Sequence, residues 1–201
     1  MSGSRGLVDF VIVSDFDEVV YSPDIVEELQ YMKDRGCTVA DLFALGSVCY
    51  DRDFPADDNL LAHQQPGVRF FYDRNYDKKV LFDPNRISEM NYLPGAHQVD
   101  IQGEVKFYKS KIHLLHLTNL GLDFMIDRRK VQAARLSELN KRNGWGIHLN
   151  FSSEQYAADF NRHYAESKTW EEWHRPPATA ASYSLVGNAA NSPLSITVSA
   201  K

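Results

Sequence analysis

The alternation of apolar and polar positions divides the chain into readable elements. The first is Phe10-Val11-Ile12-Val13, a short apolar run that ends in Ser14-Asp15-Phe16-Asp17-Glu18. A run of this kind, closed by acids, reads as a strand buried on both faces of a parallel or mixed sheet. Ser22 and Pro23 then suit the start of a helix. Ile25, Val26, Leu29 and Met32 recur at helical spacing as one apolar stripe. Lys33 and Arg35 fall in the last turn, and Gly36 suits the left-handed residue that closes it. Residues 38–50 carry Val39, Leu42, Phe43, Leu45 and Val48 and predict a second strand. The three elements together make a strand–helix–strand crossover.

Farther along, residues 51–66 are polar, with Asp51, Asp53, Asp57 and Asp58, and predict a long loop that serves as a flap near a site. Residues 68–72 form a short aromatic run, and a strand is expected over 78–82, ended by Asp83-Pro84. Val99 and Ile101 alternate before Gln102-Gly103, and Val105 and Phe107 after it, which predicts a hairpin. Residues 112–117 form another apolar run, with His113 and His116 inside it. Apolar positions from Leu122 to Leu139 recur at three or four, so one helix is expected over 121–142, closed by Gly144. Ser152 and Gln155 form a capping box for a further helix through Phe160 and Tyr164. From 175 to 201, Pro, Ala, Ser, Thr and Asn dominate and no amphipathic period survives. That segment reads as a disordered tail behind a domain over 1–174. The fold class is α/β, a mixed sheet flanked by helices.

Length and charge narrow the class. A chain of 201 residues is enough for one good-sized core. Its formal net charge of −5 argues against a nucleic-acid partner. The two cysteines, Cys37 and Cys49, lack metal-ligand spacing and suit a reducing cytoplasm. No apolar run nears the roughly 20 residues of a membrane span, and no basic-then-apolar leader is visible.

The chemistry concentrates at the end of the first strand. Asp15 and Asp17 are spaced i, i+2, which puts their side chains on one face of extended backbone. Hard oxygen ligands at a strand tip suit Mg²⁺ or Mn²⁺ holding a phosphate. No dinucleotide fingerprint, Walker loop or nucleophile elbow occurs, so such an ion would supply most of the countercharge. Lys78, Lys79, Lys109, Lys111, Arg128 and Arg129 are available to help, although each reads first as a solvated surface charge. A metal of this kind also accepts an imidazole. His116 lies in a strand, His97 follows Pro94-Gly95-Ala96 in a loop, and His148 follows two glycines.

The segment from Asp9 to Tyr21 resembles the Asp-x-Asp strand end of bacterial GT-A glycosyltransferases of the family-two type. The similarity continues through Phe82-Asp83-Pro84, Ile87-Ser88-Glu89-Met90-Asn91-Tyr92, Gly95-Ala96-His97 and Leu114-Leu115-His116. Leu120-Gly121-Leu122-Asp123, Arg135-Leu136-Ser137-Glu138 and Gly144-Trp145-Gly146-Ile147-His148 complete it, over roughly residues 8 to 165. The resemblance implies a partial GT-A-like fold and metal-dependent transfer of a sugar from a UDP- or GDP-sugar donor to an acceptor it does not name. It places Asp15 near the donor ribose and Mn²⁺ or Mg²⁺, with Asp17 as the direct ligand. Glu18 stands just behind, ordering the turn, and is grouped with the catalytic residues. His116 completes the metal shell, with His97, grouped among the cofactor-binding residues, as the second choice for that histidine, and Glu89 is the acceptor's base. In the family a nucleotide-binding half precedes the acidic strand. The expectation here is a fragment, inactive alone, or a second chain that supplies that half. Two other readings stand beside it. One is a phosphatase of the haloacid dehalogenase type, with Asp-x-Asp as nucleophile and acid. The other is a non-catalytic remnant that binds sugar or a partner.

Overall fold

The computed structural model describes residues 2–50, 64–65, 67–93, 96–144, 146–174 and 196–200. The strands are β1 (Phe10–Ser14), β2 (Glu18–Tyr21), β3 (Val39–Cys49), β4 (Arg69–Tyr72), β5 (Leu81–Phe82), β6 (Ile87–Glu89), β7 (Gln102–Gly103), β8 (Phe107–Leu120) and β9 (Ile196–Ala200). The helices are α1 (Ile25–Asp34), α2 (Leu122–Ala134), α3 (Glu138–Arg142), α4 (Ser153–Glu166) and α5 (Trp170–His174). The fold is mixed α/β. The domain expected over 1–174 is built from two compact units. Met1–Leu45, Asp73–His116 and Arg175–Lys201 form the first, and Gly46–Tyr72 and Leu117–His174 the second. No helix among the described residues is long and apolar enough to cross a membrane.

The first unit is organised on a mixed sheet in the order β2-β8-β3-β5-β1-β9. β5 has only two residues, yet it ties β1 to β3. Phe82 stands opposite Val11 on one side and Val39 on the other, and Leu81 stands opposite Ile12 and Ala40. Both pairings are antiparallel, so β1 and β3 run parallel with β5 between them. The expected crossover is present, with a later strand inserted into it. The two rows also separate two buried clusters, because successive strand residues face opposite ways. Ile12, Leu81 and Ala40 join Phe10, Leu29, Met32, Ile112 and Leu114 beneath α1. Val11, Phe82 and Val39 join Ile87 and Met90, with Tyr92, Val99 and Ile101 against them.

α1 ends as its sequence predicts. Gly36 has φ +62°, its N–H donates to the Lys33 carbonyl at 3.0 Å, and the Cys37 N–H donates to the Met32 carbonyl at 2.8 Å. This is the double closure that a glycine after the last turn permits. The start differs: Asp24 is the capping position, and the Ser22 hydroxyl accepts from the Asp24 N–H at 3.2 Å.

Three other expectations change. Gln102-Gly103 is not the tip of a hairpin but a strand of its own, β7, paired antiparallel with β6. Gly103 has φ +118°, and a Cβ there would meet the Arg86 carbonyl and the Ser88 nitrogen, so glycine is what lets the two backbones approach. The helix expected over 121–142 is two helices, α2 and α3. Ser137 interrupts it, because its hydroxyl accepts the Asn140 N–H at 3.2 Å and starts a new helix. The segment read as a disordered tail includes β9, whose five residues pair in parallel with Phe10 to Ser14. Most of the expected flap, residues 51–63 and 66, lies outside the described residues.

In the second unit, β4 and α4 share an aromatic layer. Phe71 stacks on His163 at 3.9 Å between ring centroids, and Tyr50 meets Phe160 and Tyr164 at 5.1 and 4.4 Å. The Trp173 indole N–H donates to the Phe70 carbonyl at 3.0 Å. The capping box at Ser152 and Gln155 is formed as the sequence predicts.

Candidate active site

β1 and β2 are joined by three residues, Asp15 to Asp17, yet they stand well apart in the sheet order. The turn therefore carries the chain from the end of β1 to the flank of β8. There Glu18 lies directly opposite His116. The turn closes on itself. The Asp15 N–H donates to Glu18 Oε2 at 2.9 Å, and the Glu18 N–H donates to the Asp15 carbonyl at 3.1 Å.

A lysine supplies the cation of this acid turn. Lys78 is buried to 3% exposure, and its ammonium donates to Asp15 Oδ2 at 2.8 Å and to Glu18 Oε1. The Glu18 side chain is 1% exposed, whereas that of Asp15 is 42% exposed. Burial alone would push the Lys78 pKa down. Its hydrogen bonds to Asp15 and Glu18, backed by their charges, outweigh burial and hold it above the ordinary lysine value. Both Glu18 oxygens are thus engaged, which suits it to fixing the turn rather than exchanging protons.

Asp17 takes a different partner. Its Oδ2 faces His116 Nε2 at 3.6 Å. Residues 15–17 form a turn, so the extended-strand geometry that would aim both aspartates at one ion does not apply. A separation of 3.6 Å is too long for a hydrogen bond. It is close to the spacing of two ligands that each sit about 2.0–2.2 Å from a shared ion. Among the described residues, no third His, Cys, Asp or Glu joins this pair in a metal-holding group. Mg²⁺ commonly takes one or two protein ligands and completes its shell with water and substrate phosphates, so the pair fits that pattern. The His116 ring packs edge-on against Tyr76 at 4.6 Å, and its Nδ1 is buried with no hydrogen-bond partner among the described residues.

His97 stands exposed on a loop whose base is closed by the Leu93 N–H donating to the Gln98 carbonyl at 3.1 Å. Its neighbour Ala96 has φ +58°, a conformation that costs a residue with a Cβ about 1–2 kcal/mol. Desolvation first, and then the Lys78 charge, lower the His97 pKa, while Glu18 and Asp15 pull the other way. The loop thus delivers His97 into the field of the same cluster.

Other sequence candidates do not join it. Glu89 is exposed on β6, in register with Gln102, and among the described residues it makes no described contact with Asp15, Asp17, Glu18, Lys78 or His116. Lys79 pairs with Asp41, and Lys109 and Lys111 are exposed on β8. Arg128 and Arg129 belong to α2 in the second unit, where Arg129 donates to Gln132 Oε1 at 3.2 Å. His113 meets Phe43 edge-on at 5.8 Å, and the His148 side chain lies outside the described residues. The two residues that sequence reasoning undervalued are Lys78 and Tyr76. The available signal for Lys78 was its place two residues before Val80-Leu81-Phe82, a run buried throughout. Comparison with known protein families, with curated proteins and with solved structures gives no match.

Proposed function

We propose that the chain is a metal-dependent glycosyltransferase of GT-A-like fold that uses a nucleotide-diphosphate sugar. The reading is carried by one observation: the Asp17 carboxylate and the His116 imidazole face each other at 3.6 Å beside the buried Lys78. Asp17 and His116 would hold Mn²⁺ or Mg²⁺, which when bound neutralises charge that develops on a leaving diphosphate. The chain's own residues do the rest. Lys78 and Glu18 hold the turn rigid, so that Asp17 is presented without reorganisation. Tyr76 packs against His116 and fixes its ring plane. Burial and the Lys78 charge favour the neutral ring of His97, which would offer a ring nitrogen to an acceptor hydroxyl. We assign it the proton-accepting role in place of Glu89, which has no described contact with the cluster.

Thermal melts with Mn²⁺, with UDP or GDP, and with both test the reading. At ligand concentrations about a hundredfold above Kd, binding adds about 2.7 kcal/mol. In a protein of this size that raises Tm by roughly 5–10 °C, and the rise requires metal and nucleotide together. No shift with either nucleotide in the presence of Mn²⁺ would end the proposal. Trapping of a covalent beryllofluoride adduct instead would favour an aspartate-nucleophile phosphatase.

A further inference from the structure

The chain as a whole is acidic, at −5, but residues 127–142 are not. This stretch, over α2, α3 and the turn between them, carries six cations, Arg128, Arg129, Lys130, Arg135, Lys141 and Arg142, against two acids, Asp127 and Glu138. We infer that this face of the second unit is a docking surface for an anionic lipid bilayer, which it meets with cationic groups set around exposed apolar side chains. The inference goes beyond the transferase reading and does not depend on it.

Three observations carry it. First, α2 keeps apolar surface on its outer side. It packs against α4 and against Ile147–Asn150 and buries Met125, while Val131 stays 49% exposed. Val131 lies in an open groove of about 410 Å³, lined among the described residues by Phe124, Asp127, Arg128, Gln132 and Arg135 as well. Positions 124 and 131 stand two turns apart, and so do 128 and 135, so an apolar row runs beside a row of guanidinium groups. Second, the apolar exposure extends past α2. Leu139 on α3 is 62% exposed, and Phe151 in the same unit is exposed too. Third, the two acids have cations beside them. Asp127 faces Lys130 at 3.6 Å, and Glu138 accepts from Lys141 at 2.8 Å. Both pairs are exposed and contribute little, and the stretch retains a net charge of +4. Fields decay over about 8 Å at physiological salt, so a surface against this face meets that local charge before the −5 of the whole chain. A fluid bilayer suits separate apolar tips. Acyl chains close around each one while the Arg and Lys stems reach the lipid phosphates. No helix among the described residues is long and apolar enough to cross, so the contact is peripheral.

The test sediments the full chain with vesicles of phosphatidylcholine alone and with vesicles of which about a third is phosphatidylglycerol. Binding is expected to the anionic vesicles only, and it should weaken as salt rises. Each cation near an anionic surface is worth roughly fivefold in affinity, so Lys130→Gln/Arg135→Gln/Arg142→Gln should weaken binding on the order of a hundredfold. Val131→Ser/Leu139→Ser removes two apolar tips and should weaken it about tenfold with the salt dependence unchanged. The control Lys109→Gln/Lys111→Gln, on β8 in the first unit, should stay within about threefold of wild type. All seven positions are exposed, so circular dichroism should show every variant folded. No sedimentation with the anionic vesicles at low salt overturns the inference. So does either α2–α3 variant that binds like wild type, or a control weakened as much as the triple variant. Retention on heparin without binding to the vesicles would assign the face to a soluble polyanion and overturn it as well.

Discussion

Replacing Lys78 by Met tests the cluster through stability alone. The variant keeps the stem's volume and removes the charge. Glu18 would then be a carboxylate at 1% exposure with one remaining hydrogen bond, from the Asp15 N–H. Asp15 is 42% exposed and rehydrates, so it adds little. Removing one partner of a buried ion pair typically costs about 3–5 kcal/mol, because the other charge is left uncompensated. At about 2–4 °C per kcal/mol for a chain of this size, Tm should fall by roughly 6–20 °C. The double variant Lys78→Met/Glu18→Gln retains an acceptor for the Asp15 N–H and buries no charge, so it should recover most of the loss. The pH dependence has a definite sign. In wild type the Lys78 pKa is raised, so its contribution is present at and below neutral pH and is lost only when pH rises through that raised value. Urea titrations followed by circular dichroism at pH 7 measure the deficit. A single variant within about 1 kcal/mol of wild type at pH 7, or a double variant no more stable than the single, would refute the reasoning.

Gly103→Ala forces a Cβ against the Arg86 carbonyl at φ +118° and should cost about 1–3 kcal/mol in a denaturant titration; an unchanged midpoint would mean that β6 and β7 do not approach as described. The His97 ring should titrate by NMR below the ordinary histidine value, and its midpoint should rise in Lys78→Met, since the lysine charge is one of the causes that lower it. A lowered folded pKa means His97 adds stability above the unfolded histidine value and loses it as pH falls through the folded one, so a midpoint at or above the ordinary value would remove it from the cluster's field. Deleting Ile196–Lys201 strips five paired positions from β1 and should lower stability by about 2 kcal/mol or more, read as a Tm drop of several degrees; an unmoved Tm would show that β9 adds nothing.

What could be read from the chain alone was local. The closure of α1 at Gly36 and the capping box at Ser152 are each written within a few neighbouring residues, and the extent of β3 in its own eleven, and each is present. Pairing at long range was not readable. Nothing near Gln102-Gly103 says that its partner is Ile87–Glu89 rather than its own neighbours, because the same alternation serves both arrangements. The break at Ser137 was hidden because the apolar period continues across it while the hydroxyl competes for the backbone. At the candidate site the acids were legible as a cluster, but their division was not. A lysine in Asp77-Lys78-Lys79 reads as surface until a fold buries it between two carboxylates 63 and 60 residues away in the chain.

The brevity of β5 has a consequence for the order of assembly. During synthesis the first fifty residues can form α1 and two parallel extended segments, but those segments have no hydrogen-bond partner in common until Leu81 and Phe82 emerge. A peptide ending at residue 50 should therefore stay unstructured or self-associate, while one extended past Phe82 gains the tie that makes the two halves of the crossover a single sheet. The nucleation event of this unit thus waits on a dipeptide, and slow or early termination of translation between those points would leave the apolar rows of β1 and β3 open to solvent.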